Sequence, residues 1–313
     1  MAGTSKTRPE DRGPGGSQGD HPDPATAAFV AHRNLLFTVA YEMLGSAADA
    51  EDVLQETWLR WTGVDLEIVR DQRAYLVRIT TRQALLRLRT LSRRKESYVG
   101  SWLPEPLLTS PDVAEDVEMA DNVSMAMLLV LETLAPTERA VFVLREVFDL
   151  AYDEIAEAVD KSPAAVRQII HRARAHVAAR RPRGVVSPAE TRDALDAFQR
   201  AIETGDMQNL LDILAPDVVL LGDGGGIKQA VPRPVMGADK VALLLALGLD
   251  RVRAEVSVES VQVNGSPALL LRLNGEVDSV VAVRIDDGLV TGLYAVRNPE
   301  KLSHMQRETA LHR

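Results

Sequence analysis

The chain has 313 residues, 46% of them apolar but only 4% aromatic, with a formal net charge of -9 and no cysteine. That length supports two or three domains with aliphatic, mainly helical cores. The missing thiols exclude disulfides and thiolate metal sites, no apolar run reaches the ~18 residues of a membrane span, and the N-terminus lacks the apolar stretch of a secretory signal. A cytoplasmic protein without a membrane partner is expected.

In chain order, residues 1–24 are rich in Gly, Pro, Ser and charge and read as a disordered tail. Phe29, Leu36, Val39, Ala40 and Met43 then recur at helical spacing. Gly45 ends that helix, and Ser46 is placed to cap a second one running from Ala47 to about Trp61. A third is expected from near Asp71 to about Arg94. The prolines of Trp102-Leu103-Pro104-Glu105-Pro106 and of Ser110-Pro111-Asp112 make residues 96–115 an extended connector. Further helices are predicted from about Val113 to Leu134 and over 137–147, 151–159 and 163–180. Beyond Ser187, helical patterns at 188–204, 207–214 and 238–248 mix with strand candidates. These are Val218–Gly222, Pro232–Met236, Ala254–Val263, Ala268–Leu273, Ser279–Ile285 and Leu289–Tyr294. Turn residues such as Asn264-Gly265 and Asn274-Gly275 separate several of them, so this part reads as α+β with an antiparallel meander.

Charge is unevenly distributed. Residues 25–95 hold 11 Lys/Arg against 8 Asp/Glu, residues 96–133 hold none against 8, residues 134–187 hold 9 against 7, and residues 188–313 hold 13 against 18. Two basic blocks are thus separated by an acidic linker, and local clusters decide whether a phosphate backbone is attracted.

The most informative segment is 149–177. Ile155 and Val159 lie on one side of a short helix, Asp160-Lys161-Ser162 is a turn, and Ser162-Pro163 is a cap followed by a first-position proline. Val166, Ile170, Ala173 and Val177 can pack back, which leaves Arg167, Gln168, His171, Arg172 and Arg174 outward. Such a face suits a major groove, where Arg and Gln pair with base edges; the alternative is a helical hairpin with a solvated basic face. His171 and His176 lack a third metal ligand and read as surface residues.

Arg82, Arg87, Arg89, Arg93, Arg94 and Lys95 put six cations in fourteen residues with no acid among them. That exceeds what a helix dipole calls for and suggests nucleic acid. The helix before it is acidic, carrying Asp49, Glu51, Asp52, Gln55 and Glu56, with Trp58 near its end. A solvated face is the default for it, and protein docking the alternative.

Taken together, Asp49–Thr57, Ala74–Arg94, Leu134–Phe142 and the helix-turn-helix ending Arg172-Ala173-Arg174 resemble, in order and separation, the extracytoplasmic-function sigma factors of bacterial RNA polymerase. The resemblance implies a promoter-specificity subunit with no catalytic site, metal or cofactor. It implies that Asp49, Glu51, Asp52, Gln55, Glu56 and Trp58 meet the β′ clamp helices. Arg78, Arg82, Arg87, Arg89, Arg93 and Arg94 would melt and read the −10 element. Arg167, Gln168, His171, Arg172 and Arg174 would read the −35 element, with that unit resting on the β flap. Leu86 stands where the family usually carries Asp, so one family-typical −10 contact is absent.

The C-terminal part resembles the narrower sigma-J type, which has a fused SnoaL-like cone of helices over a curved sheet. Three motifs carry this likeness: Trp102–Pro106, Asp223-Gly224-Gly225-Gly226-Ile227-Lys228 with an extra Ile, and Asn298-Pro299-Glu300-Lys301-Leu302. The expected architecture is two all-α sigma domains, the second a helix-turn-helix, followed by an α+β SnoaL-like domain with a curved antiparallel sheet. The boundaries are 1–24 tail, 25–95, linker 96–115, 116–183, 188–302, and a tail over 303–313.

Asp223 is the one acid in the Gly-rich loop that a cone-pocket chemistry would use as a base, but the sequence gives it no partner His. The glycines read instead as permitting close backbone approach to another segment. The expected contact joins Trp102, Leu103, Pro104, Glu105 and Pro106 to Asp223, Gly224, Gly225, Gly226, Lys228, Asn298 and Pro299. It would regulate activity in cis without a separate anti-sigma partner. A helix-turn-helix regulator with a ligand-sensing domain is the competing reading.

Overall fold

In the computed structural model, the described residues are 23–109, 120, 122–180, 188–250, 256–306, 308–309 and 311. The expected N-terminal tail lies outside them up to residue 22, as does the first part of the helix expected from Val113.

Helix α1 (Pro24–Leu44) ends at Gly45, whose φ of 65° is the left-handed conformation that glycine adopts without strain. Helix α2 (Ala47–Trp61) starts under Ser46, whose Oγ accepts from Asp49 N at 3.2 Å. Helix α3 (Gln72–Glu96) is capped by the Asp71 carboxylate and carries Arg93, Arg94 and Lys95 in its last turn, where cations offset the dipole. Helix α4 (Met125–Glu132) precedes α5 (Pro136–Phe142). The helix expected over 137–147 leaves α geometry at Val143, and Val143–Val147 form a π turn. Helices α6 (Tyr152–Val159) and α7 (Pro163–Ala178) form the helix-turn-helix, with Ser162 Oγ accepting from Ala165 N.

The two helical units are not separate bodies. α3 packs on both α5 and α6, and one continuous apolar cluster runs from Leu36, Leu76 and Leu88 through Leu128, Leu144 and Ile155 to Ile170.

The C-terminal unit has helices α8 (Pro188–Thr204), α9 (Met207–Ile213) and α10 (Ala238–Asp250) against six strands: β1 (Leu214–Asp223), β2 (Val235–Met236), β3 (Val256–Val263), β4 (Ser266–Leu273), β5 (Glu276–Asp286) and β6 (Leu289–Val296). Their order is β2-β1-β6-β5-β4-β3. The meander β3–β6 is antiparallel as expected, but β1 pairs parallel with β6, so the open sheet is mixed. The correction is topological: parallel neighbours need a crossover, and everything between β1 and β6 supplies it.

Alternation along the strands gives the sheet two buried faces. One carries Val218, Leu220, Leu269, Val283 and Leu293 against Phe198, Leu210 and Val241 of its own helices. The other carries Ala268, Leu270, Val280, Ala282, Tyr294 and Val296 against Leu103 and Met125 of the helical part. The end of the chain follows that second face: Thr309 N donates to Leu108 O, and Leu311 is buried in the helical core.

Candidate nucleic-acid interface and interdomain site

On α7 the apolar residues Val166, Ile170, Ala173 and Val177 are buried, and this turns Arg167, Gln168, His171, Arg172 and Arg174 outward. Arg174 pairs with Glu146 at 2.7 Å and Arg172 lies 3.7 Å from Glu138. The Arg167 guanidinium is 5.2 Å from the Tyr152 ring, so the basic face is partly pre-oriented by its neighbours.

The cations of α3 fall into three groups. Arg78 pairs with Glu157 of α6 at 2.9 Å and lies 4.5 Å over the Tyr75 ring, and Arg82 donates to the Glu157 carbonyl at 2.8 Å. Arg87 bridges Asp49 and Asp52, each at 2.5 Å. Arg89, Arg93 and Arg94 are exposed, as is Leu86.

On α2 the set expected to meet a partner divides. Glu51 pairs with Arg33, Asp52 reaches Arg87, and Gln55 and Glu56 are exposed. Asp49 is buried against Arg87, and the half-buried Trp58 ring packs on Phe29 at 5.1 Å. Those two side chains hold α2 in place and are not presented outward, because they lie on the side of the helix that packs on its neighbours.

The linker is buried. Leu103 and Leu107 are fully enclosed, and Pro104, Glu105 and Pro106 are buried with them. Glu105 acts on the N-terminus of α2, where its carboxylate accepts from Ala47 N at 2.5 Å, Ala48 N at 3.1 Å and Ser46 Oγ. Its backbone N–H donates to Gly45 O, and Tyr41 Oη donates to its carbonyl. Burial raises its pKa, an effect the Ala47 and Ala48 amides only partly offset.

The fused domain grips the other side of this linker. Asp223, wholly buried at the end of β1, lies on the same face as Leu221, toward the linker and away from the domain's own helices. Its carboxylate accepts from Tyr98 Oη at 2.6 Å, Lys301 Nζ at 2.8 Å, Leu103 N at 2.9 Å and Gly225 N at 3.0 Å. Lys301 also donates to Leu103 O at 2.5 Å, and Asn298 donates to Tyr98 Oη. Asn264, at the turn between β3 and β4, bonds Leu107 N, Tyr41 Oη and Val123 O. A Cβ on Gly225 would stand 2.4 Å from Asn298 Nδ2. One on Gly226 would press on Val99 at 3.1 Å, and both glycines have positive φ.

Trp102 is flanked by two cations, with Lys95 Nζ 3.4 Å and Lys301 Nζ 4.1 Å from its ring. Lys95 bonds Glu132, which also pairs with Arg139 at 2.6 Å. Burial lowers both lysines, Lys95 to about 8. Burial pulls Glu132 upward, but Arg139 and Lys95 outweigh it and hold the acid below its ordinary range.

Of the residues expected at this contact, Leu103 meets Asp223 directly and Gly225 lies against Asn298, whereas the Glu105 carboxylate turns to α2, Pro299 is exposed, and Lys228 stands apart. That lysine pairs with Asp278 at 2.9 Å inside its own domain, while Ile227 is exposed beside it. Tyr41, Lys95, Tyr98, Asn264 and Lys301 were not anticipated. For Lys301 the Asn298–Leu302 motif was a signal, whereas the others carry no local signature. As a base, Asp223 has neither a free face nor a place in the cone interior. The shallow cleft at Leu211, Pro216, Met236 and Lys240 is lined by other residues. Among the described residues, no cluster of three potential metal ligands occurs, and no helix is long and apolar enough to cross a membrane.

Comparison with known proteins shows the family. Residues 28–94 match the Sigma-70 region 2 family and residues 124–177 the Sigma-70 region 4 family. The chain is 34% identical to the ECF RNA polymerase sigma factor SigJ of Mycobacterium tuberculosis, over 88% of this chain and 92% of that one. It is 32% identical to the probable ECF sigma factor SigI of the same organism, over 91% and 97%. The crystal structure of M. tuberculosis SigJ superposes with a TM-score of 0.72 at 32% identity, covering 89% of this chain and 98% of that one. The chain belongs to the extracytoplasmic-function sigma factors, the promoter-recognition subunits of bacterial RNA polymerase.

Proposed function

We propose that this sigma subunit reads the −10 element with α3 and the −35 element with α7, and that its fused domain regulates both in cis through the linker. On α3 the cations that act are Arg78, Arg82, Arg87, Arg89, Arg93 and Arg94. On α7 the readers are Arg167, Gln168, His171, Arg172 and Arg174. The outward residues Glu51, Asp52, Gln55 and Glu56 of α2 take the β′ clamp helices, and the region 4 unit rests on the β flap. The protein acts in the cytoplasm, without chemistry of its own and without a separate anti-sigma partner.

The observation that carries the regulatory reading is the Asp223 carboxylate. It is completely buried, accepts from the linker amide of Leu103, and is neutralised by Lys301. A buried ion pair of this kind is weak as a general stabiliser but strongly specifies one arrangement, because an unpartnered charge there is costly. Gly225 and Gly226 let the loop close to within contact of Asn298 and Val99.

Run-off transcription with core polymerase tests the reading. Trp102→Ala and deletion of Gly224–Gly226 are expected to change promoter-dependent transcription relative to the intact chain. Unchanged transcription from both would remove the regulatory role and leave the sigma assignment standing.

A further inference from the structure

We infer that α10 is the surface through which two copies of this chain pair, with the two helices antiparallel. α10 is held to its own domain by one side, where Val241 and Ala242 are fully buried in the cluster of Phe198, Leu210 and Val218. The outer side of such a surface helix is ordinarily polar. Here it is not. Leu243, Leu244 and Leu247 are 54%, 37% and 52% exposed, and Met236, just before the start of the helix, is 61% exposed. The other exposed large hydrophobic residues among those described, Val30, Leu59, Ile68, Leu86, Val99 and Ile227, each come from a different segment. An apolar patch gathered on one helix marks an interaction site, which scattered single residues do not.

The sequence of the helix identifies what covers it. Lys240, Leu243, Leu247 and Asp250 follow a spacing that reads the same from either end, with opposite charges at the two ends. Two copies laid antiparallel about Leu245 bring Leu243 of each level with Leu247 of the other, and Lys240 level with Asp250. A parallel pair would set like charges level with each other. The helix is therefore complementary to itself in one orientation.

Gly248 points the same way. It continues the exposed row of Lys240 and Leu244 at helical spacing, and a Cβ there would meet nothing within 4 Å. Glycine weakens a helix relative to alanine, and no neighbour in this chain requires the space. A second helix does, because the missing side chain lets another backbone come close. The six exposed residues Asp239, Lys240, Leu243, Leu244, Leu247 and Gly248 make a contact smaller than the ~800 Å² per partner of a standard interface. The pairing is accordingly weak and concentration-dependent. It uses the side of the sheet away from the linker, so each copy keeps Leu103 on Asp223.

Sedimentation velocity of the full-length protein tests the pairing. The mean mass is expected to rise from one copy toward two between low and high micromolar concentration. Leu243→Glu changes an exposed side chain and leaves the core untouched; it is expected to weaken association about tenfold or more, the effect of losing a buried leucine. Lys240→Glu and Asp250→Lys are each expected to self-associate about two- to fivefold less than the parent, because like charges then meet. Mixed together, these two variants should pair with each other. A chain that stays monomeric throughout overturns the inference; if Leu243→Glu then still lowers transcription with core polymerase, the face belongs to a different protein. Association that Leu243→Glu leaves unchanged overturns it as well, and charge variants that fail to pair when mixed overturn the antiparallel register. None of these results bears on the assignment of α3 and α7 to promoter DNA.

Discussion

The two faces of the six-stranded sheet are covered by different material. On one, Phe198, Leu210 and Val241 of the domain's own helices meet strand residues that are aliphatic throughout. On the other, the cover combines Leu103 and Met125, over a hundred residues earlier in the chain, with Leu302 and Met305 after β6, and its apolar centre is rimmed by Asp223, Lys301 and Asn264. A face that only has to fold can be dry and non-directional. A face that must recognise one particular segment in one register adds groups whose hydrogen bonds exist in that register alone. The second face is thus built like an interface and the first like a core.

The sharpest way to break this contrast is to damage each face separately. Asp223→Ala strands the Lys301 ammonium and the Leu103 amide, and is expected to cost about 3–5 kcal/mol, the range for breaking a buried pair. Phe198→Ala, in the dry core, is expected to cost a similar ~3–5 kcal/mol through cavity formation. Their hydrogen-exchange patterns should differ: the first exposes amides of Gly100–Thr109 with the cone still protected, the second loosens α8 first. Identical patterns would show that the two faces are one cooperative unit.

Leu103→Ala removes the apolar centre of the interface, with an expected loss of about 2–5 kcal/mol in chemical denaturation. Asn264→Ala leaves the Leu107 amide unpartnered and should cost about 1–3 kcal/mol. If Asn264→Ala proves neutral, the turn is incidental to register. The smallest effect is in pH. Glu132 titrates below its ordinary value because Arg139 and Lys95 outweigh the pull of burial. Its contribution is therefore full above the ordinary carboxylate range and is lost as pH falls through its lowered value. Melting temperatures between about pH 3 and 6 should fall less steeply in Glu132→Gln than in the parent.

Much of the local structure was legible. Gly45-Ser46 and Ser162-Pro163 announce a stop and two starts because caps depend only on neighbouring atoms. The outward set on α7 follows from the four buried apolar positions on its other side. The Gly-rich loop was readable as a close approach, and the motif pair Trp102–Pro106 and Asn298–Leu302 pointed to its partners. Long-range choices were not legible. Nothing local in β1 marks it as the parallel neighbour of β6, and the pairing of Lys228 with Asp278 depends on where β5 lies. The inward turn of Asp49 and Trp58 depends on α3 and α1, which an isolated acidic helix does not reveal.

The position of Trp102 gives the protein an optical gauge of its own. An indole held between two ammonium groups emits differently from one released to water, because nearby positive charge shifts the energy of its excited state. Only two other tryptophans, Trp58 and Trp61, are present, and both belong to the helical part. With those two replaced by phenylalanine, fluorescence from the remaining indole would follow the linker's departure from Lys95 and Lys301 in real time, without any attached dye.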